Sequence, residues 1–151
     1  KKFLKITDRK KELLKTSGGK YVAPTPIEAL FKDHRLVDQV MVIGDQLKFV
    51  SALIVPSVDG LKEWCTKHHI PWTSLPELVR DPKVIARYQM LVDRINPNFG
   101  HAEQVKKFLL IPHAWEPVRS DGQEAELTPS LKLKRRVIMA KYKQEVEGLY
   151  A

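Results

Sequence analysis

The sequence predicts an α+β domain: an N-terminal hairpin, a small sheet of about three strands, and helices flanking it. Three observations point there. Two β-branched runs, Val37 to Ile43 and Phe49 to Val55, are separated by Gly44-Asp45-Gln46-Leu47, the pattern of a hairpin. Two apolar periodicities of helical spacing follow, the first opened by the capping residue Ser57 and the second by Asp81-Pro82. Finally, 151 residues with 43% hydrophobic and 29% charged content fit one soluble globular domain able to bury a real core.

Taken in order, Phe3 to Ile6 and Glu12 to Lys15 alternate apolar and polar residues and read as two short strands, with Asp8-Arg9-Lys10-Lys11 as their turn. Thr16-Ser17-Gly18-Gly19 is a loop by composition. Thr25 then caps a helix with Pro26 in its first turn and Glu28 completing a capping box, and this helix stops near His34. After the central hairpin, Leu61, Trp64, Cys65 and His68 share one helix face. Pro71 and Pro76 break the chain. Asp81-Pro82 restarts a long helix with Val84, Ile85, Tyr88, Leu91, Val92 and Ile95 on its buried side, ended by Asn96-Pro97-Asn98. A short helix from His101 to Lys107 leads to a third strand, Phe108 to Ile111, closed by Pro112. Residues 116–127 are a polar, acidic surface loop. The last helix carries Ile138, Tyr142, Val146 and Leu149 at helical spacing.

The net charge of +8 is unevenly distributed. Residues 1–20 hold eight Lys/Arg against two acids, and residues 128–143 hold six Lys/Arg and no acid, while the rest of the chain is net negative. Two basic segments distant in sequence concentrate anions. Phosphates of ATP or CoA, nucleic acid and an anionic membrane face all satisfy such a field. The single Cys65 excludes an internal disulfide framework and fits a reducing, cytoplasmic compartment. No run approaches a membrane span, and the absence of an initial Met suggests a cut inside a longer polypeptide.

Lys132 reads in two ways. It is one more cation in Lys132-Leu133-Lys134-Arg135-Arg136, or a ligand-directed group, since cations at a helix N-terminus oppose the macrodipole. Cys65, His68 and His69 invite a metal, but the periodicity places Cys65 and His68 beside Trp64 on an apolar face, which favours packing. His101 and His113 have no sequence partners for a catalytic pair, and no metal site is expected. A basic nucleic-acid-binding module is the reading from another class. It rests on the pI of about 9.6 and the two basic segments, but there are few aromatics near those segments and no DNA- or RNA-binding fingerprint.

Two ordered segments go further. Thr128, Ser130, Lys132 and Arg135 resemble the Thr-x-Ser-Gly-Lys-x-x-Arg motif of the adenylate-forming superfamily, which includes acyl-CoA synthetases, aryl-CoA ligases, luciferase and peptide-synthetase adenylation domains. Leu131 stands where Gly is usual, a departure similar to the long-chain fatty acyl-CoA branch, and it leaves Lys134 as a rival to Lys132. Asp8, Arg9, Lys11, Leu14, Lys15, Gly19, Pro24 and Glu28 resemble, in register, the superfamily's hinge segment. The resemblance implies that the whole chain, residues 1–151, is the mobile C-terminal lid domain of a long-chain fatty acid–CoA ligase. Residues 1–20 would be its hinge and hairpin segment, 21–127 its body with a helical insertion over 57–107, and 128–151 the catalytic-lysine segment.

It further implies that Lys132 is the adenylation lysine, Lys11 the hinge, Arg9 a contact to the nucleotide ribose, and Lys15, Gly18, Gly19 and Lys20 a CoA-facing surface. ATP with Mg²⁺ and CoA would be substrates of the full enzyme, and no cofactor would be held permanently. The partners implied are an N-terminal adenylation domain of the same polypeptide, the nucleotide, CoA and a fatty acid. Peripheral membrane contact through the basic segments is a secondary expectation. On the residues alone, Arg9 also reads as a turn cation, Lys15 as a solvated strand residue and Gly18-Gly19 as a plain loop.

Overall fold

The computed structural model describes residues 13–150. Strands β1 (Leu14–Lys15) and β2 (Tyr21–Val22) form a short antiparallel pair, with Leu14 opposite Val22 and Lys15 opposite Tyr21. There follow α1 (Pro24–Lys32), β3 (Val37–Ile43), β4 (Val50–Pro56), α2 (Val58–Lys67), α3 (Leu75–Leu78), α4 (Pro82–Ile95), β5 (Val105–Leu110), α5 (Arg135–Lys141) and α6 (Lys143–Tyr150). The main sheet has the order β3-β4-β5, antiparallel between β3 and β4 and parallel between β4 and β5.

Every residue of β4 is buried, because both faces of the sheet are covered. On one face Val40, Val42, Ala52 and Ile54 pack with Ile27 and Phe31 of α1, Leu61 of α2 and Tyr88 of α4. On the other, Met41, Leu53 and Val55 meet Trp115, Ile138 of α5 and Val146 of α6. A parallel pair cannot be closed by a tight turn and needs a long crossover. The segment from Ser57 to Gln104 supplies it, so the expected helical insertion is the β4–β5 crossover and one of the two layers over the sheet.

Two contacts seat that layer. The Tyr88 hydroxyl donates to the Leu36 carbonyl at 2.8 Å, and burial pushes the phenol well above its ordinary range. Helix α2 approaches so closely at Gly60 that an added Cβ would lie 2.2 Å from the Arg35 carbonyl oxygen.

Some expectations fall outside the described residues, and several others need correction. Phe3 to Ile6 and the turn at residues 8–11 lie outside the described residues, and Leu14–Lys15 pairs forward with Tyr21–Val22. Helix α1 begins at Pro24 with Ala23 in the cap position, so Thr25 is not its cap. The Glu28 carboxylate serves a distant partner, described below, rather than a capping box. Pro76 lies in the first turn of α3, a position that asks for no N–H, and does not break the chain there. The expected helix from His101 to Lys107 is a single 3₁₀ turn at His101–Glu103. The strand begins at Val105 because the Asn96 side-chain amide pairs with the Val105 backbone in both directions, at 2.8 and 2.9 Å. Ile85 and His68 are exposed, His68 stacking on Trp64 just past the end of α2. The last helix is two, divided at Tyr142.

Two buried carboxylates tie the final segment to this frame. Glu28, on α1, accepts from the Val42 N–H at 2.8 Å and takes a two-pronged ion pair from Arg135 at 2.7 and 2.8 Å. The pair links residues 107 positions apart. The stretch expected to be a plain surface loop holds the second. Glu126, 3% exposed, accepts from Lys141 at 2.6 Å, from Arg119 at 3.0 Å and from the Glu116 N–H at 3.1 Å. Its carbonyl accepts from the Lys134 N–H at 2.8 Å. Burial alone pushes this carboxyl up, but the bonds from Lys141 and the backbone outweigh that and hold it below the usual carboxylate range.

Three outcomes are expected. Gly60→Ala destabilises the fold, because forcing a methyl against backbone costs about 1–3 kcal/mol whereas helix propensity returns at most about 1 kcal/mol; chemical denaturation measures the balance. Glu28→Ala removes the buried acceptor that Arg135 and the Val42 N–H share and costs up to roughly 3–5 kcal/mol, the lower end suiting a guanidinium still 27% exposed. A loss under 1 kcal/mol would remove this pair from the fold's main supports. The depressed Glu126 carboxyl contributes stability that is full above the ordinary glutamate range and lost as pH falls through its folded value. The stability gap between the natural chain and Glu126→Gln therefore narrows on acidification, as thermal melts across pH will record.

Candidate functional site

The segment Thr128-Pro129-Ser130-Leu131-Lys132 folds as a closed hairpin loop. Leu127 and Leu133 bridge its base in antiparallel fashion. The Thr128 N–H donates to the Lys132 carbonyl at 2.8 Å, and the Lys132 N–H donates back to the Thr128 hydroxyl at 3.0 Å. The Leu131 N–H donates to the Thr128 carbonyl at 2.8 Å, and Leu131 is left-handed, with φ of +67°. This is the three-residue hairpin loop in which a β-turn is followed by one left-handed residue. It explains why glycine suits position 131, and Leu131 takes the same conformation at a cost of about 1–2 kcal/mol. Its side chain remains 66% exposed.

Lys132 is therefore not in a helix first turn. Helix α5 starts at Arg135, with Lys134 in the cap position. Lys132 is exposed, its neighbour Leu133 turns toward the core, and its ammonium has no ion-pair partner among the described residues. Lys134 is half-buried, and its N–H is engaged by Glu126. A cation held on a stiff hairpin with no acid consuming it can be offered to an external anion.

The first basic segment builds the same loop. In Thr16-Ser17-Gly18-Gly19-Lys20, the Thr16 N–H donates to the Lys20 carbonyl at 2.9 Å, and the Lys20 N–H donates to the Thr16 hydroxyl at 3.2 Å. The Gly19 N–H donates to the Thr16 carbonyl at 2.9 Å, and Gly19 is left-handed, with φ of +84°. The two basic segments thus present Lys20 and Lys132 at equivalent places in equivalent loops. The spacing Thr-x-x-x-Lys occurs in both segments of the sequence and was the available signal. It lacks force until the left-handed residue before the lysine is seen.

The first loop is docked on the β3–β4 turn. Ser17 and Gln46 N–H groups donate to the Leu47 and Lys15 carbonyls at 2.9 and 2.7 Å, and the Lys15 N–H donates to Asp45 at 3.1 Å. The Lys15 ammonium lies 5.6 Å from the Tyr21 ring centre, a cation–π contact on an exposed surface. Gly18 and Gly19 have open space where side chains would project, so another molecule can approach their backbone closely. Arg9 and Lys11 lie outside the described residues.

Other features belong to different parts of the fold. A cleft of about 550 Å³ between α2 and α4 is lined by residues including Arg35, Trp64, Arg87 and Met90, and none of its lining comes from either basic segment. Among the described residues no group of three His, Cys, Asp or Glu side chains converges as metal ligands. Cys65 is buried, and burial pushes its thiol up. None of the described helices is long and apolar enough to cross a membrane.

The chain was compared with known proteins. Residues 11–151 match the family model for the AMP-binding enzyme C-terminal domain. The chain is 36% identical over 149 residues to the long-chain-fatty-acid–CoA ligase FadD15 of Mycobacterium tuberculosis, covering 98% of this chain and 24% of that protein. It is 32% identical to the long-chain-fatty-acid–CoA ligase ACSBG2 of Gallus gallus, covering 99% of this chain and 21% of that one. It therefore spans about a quarter or less of these relatives. Among solved structures, the A domain of carboxylic acid reductase from Segniliparus rugosus, in complex with AMP and a co-purified carboxylic acid, superposes with a TM-score of 0.70. That match covers 94% of this chain and 20% of that one, and at 22% identity it speaks to the fold alone. With nearly the whole chain inside the family match, the protein belongs to the AMP-binding enzyme C-terminal domain family.

Proposed function

We propose that this chain is the mobile C-terminal domain of an AMP-forming long-chain fatty acid–CoA ligase, in which Lys132 serves acyl-adenylate formation. The observation that carries the reading is the Thr128 loop: it holds an exposed lysine, without an ion-pair partner among the described residues, on a stiff hairpin. The ligase names of the relatives support the reaction class.

In the first half-reaction a fatty carboxylate oxygen attacks the α-phosphorus of ATP and pyrophosphate leaves. Two anions are forced together, and negative charge gathers on the phosphoryl oxygens in the transition state. A lysine delivered there offsets that charge. Mg²⁺ accompanies the ATP. In the second half-reaction the CoA sulfur attacks the acyl carbonyl, its proton is lost, and AMP departs with the bonding pair. Lys132 has no part in that step. The Gly18-Gly19 backbone, with Lys15 and Lys20 beside it, then borders the path of CoA, where open space and positive charge suit a phosphorylated chain. Lys11 is the hinge between the two orientations, and Arg9 contacts the nucleotide ribose. Acyl specificity belongs to the larger N-terminal adenylation domain of the same polypeptide. Such domain rotations are an established class of motion in catalysis.

The test is a separation of half-reactions in the full-length enzyme. Lys132→Ala slows acyl-adenylate formation by about 10²–10³, or roughly 2.7–4 kcal/mol, the usual loss for one preorganised charge stabiliser. Conversion of supplied acyl-adenylate to acyl-CoA stays near normal. Lys134→Ala is mild in both assays. If the two variants exchange behaviour, the catalytic lysine is Lys134; if both steps fall together in Lys132→Ala, the division of labour is wrong.

A further inference from the structure

The two lysine loops share every backbone hydrogen bond described above, yet differ at the left-handed residue. The first uses Gly19, which takes that conformation freely, and the second uses Leu131, which does not. Glycine therefore satisfies this loop within this very chain. Leucine at 131 brings backbone strain, and no burial offsets it, since the side chain is 66% exposed and adjoins the exposed Lys132. Strain at an exposed apolar residue beside a reactive group points to a contact made elsewhere. The chain covers 24% of the length of its FadD15 relative, and on the function proposed above the partner surface is the adenylation domain of the same polypeptide.

Building on the reading of Lys132 above, we infer that Leu131 is a positioning residue whose side chain docks on the adenylation body when Lys132 is delivered, fixing the orientation in which the lysine meets the phosphate. The contact is absent in the thioester orientation, where the loop has swung away. An apolar anchor beside a solvated ammonium gives the hairpin a defined seat, because a lysine alone reaches through four flexible bonds and specifies little geometry.

The experiment uses the full-length enzyme and the same two half-reactions. Leu131→Gly keeps the loop, relieves its strain and removes the anchor. Acyl-adenylate formation is expected to fall about tenfold or more, the factor equivalent to burying one leucine. Conversion of supplied acyl-adenylate stays unchanged, and the melting temperature is unchanged or higher. Leu131→Met, which restores an unbranched apolar side chain, returns most of the adenylation rate. Adenylation by Leu131→Gly at the natural rate or faster overturns the inference, as does an equal fall in both half-reactions. Lys132→Ala run alongside keeps the two claims apart: if it abolishes adenylation while Leu131→Gly is normal, the lysine's role stands and the anchor is lost. If Lys132→Ala adenylates normally, the underlying reading fails and takes the anchor's stated purpose with it.

Discussion

The Glu28–Arg135 ion pair is the constraint on which the arrangement of this domain depends. Its carboxylate is buried, which is costly unless every acceptor site is used. Here the Val42 N–H and the guanidinium share it. Three elements are thereby fixed to one another: the helix after the first lysine loop, the edge strand of the sheet, and the helix after the second lysine loop. Glu28 lies nine positions after Gly19 and Arg135 four positions after Leu131, so each loop is a short lever away from the pair. The two lysine loops are far apart in sequence, and this carboxylate links the helices that follow them.

The sheet makes that frame stiff. With β4 buried on both faces, the crossover helices and the C-terminal helices cannot shift without opening one of two apolar layers. Side-chain amides add to this where the backbone runs out of partners. Gln39 pairs in both directions with the backbone of Trp115, at 2.6 and 2.9 Å, as Asn96 does with Val105. The Trp115 anchor matters because it begins the polar stretch that leads to Glu126 and so to the base of the Thr128 loop.

What could be read in the sequence divides along a physical line. Ser57 was legible as a helix cap, and Asp81-Pro82 as a helix start, because a cap is a bond between a side chain and an N–H two or three residues on. The β3–β4 hairpin was legible because β-branched runs and a turn are local as well. Glu28 misled for the same reason: at its spacing from Thr25 it has the local form of a capping box, while its partners are Val42 and Arg135. Glu126 was hidden inside an acidic stretch whose composition reads as solvated. Only tertiary structure brings Lys141 and Arg119 to it. The strand start at Val105 was missed because its anchor is the Asn96 side chain, nine residues away across a bend. At the candidate site, the resemblance singles out Lys132, whereas its hairpin setting and its likeness to the Lys20 loop were not legible.

Under the proposed function, a domain delivered and withdrawn in each reaction cycle would also have to order its reactive group each time. For a free loop that recurring entropic cost is about 1–2 kcal/mol per backbone residue, with up to about 2 kcal/mol more for a lysine side chain. The Thr128 hydroxyl and the backbone bonds around it settle the first part once, when the chain folds. Under the proposed function, only the rotamers of Lys132 would remain to be ordered per cycle, which would move most of the conformational entropy of the approach from the rate to the fold.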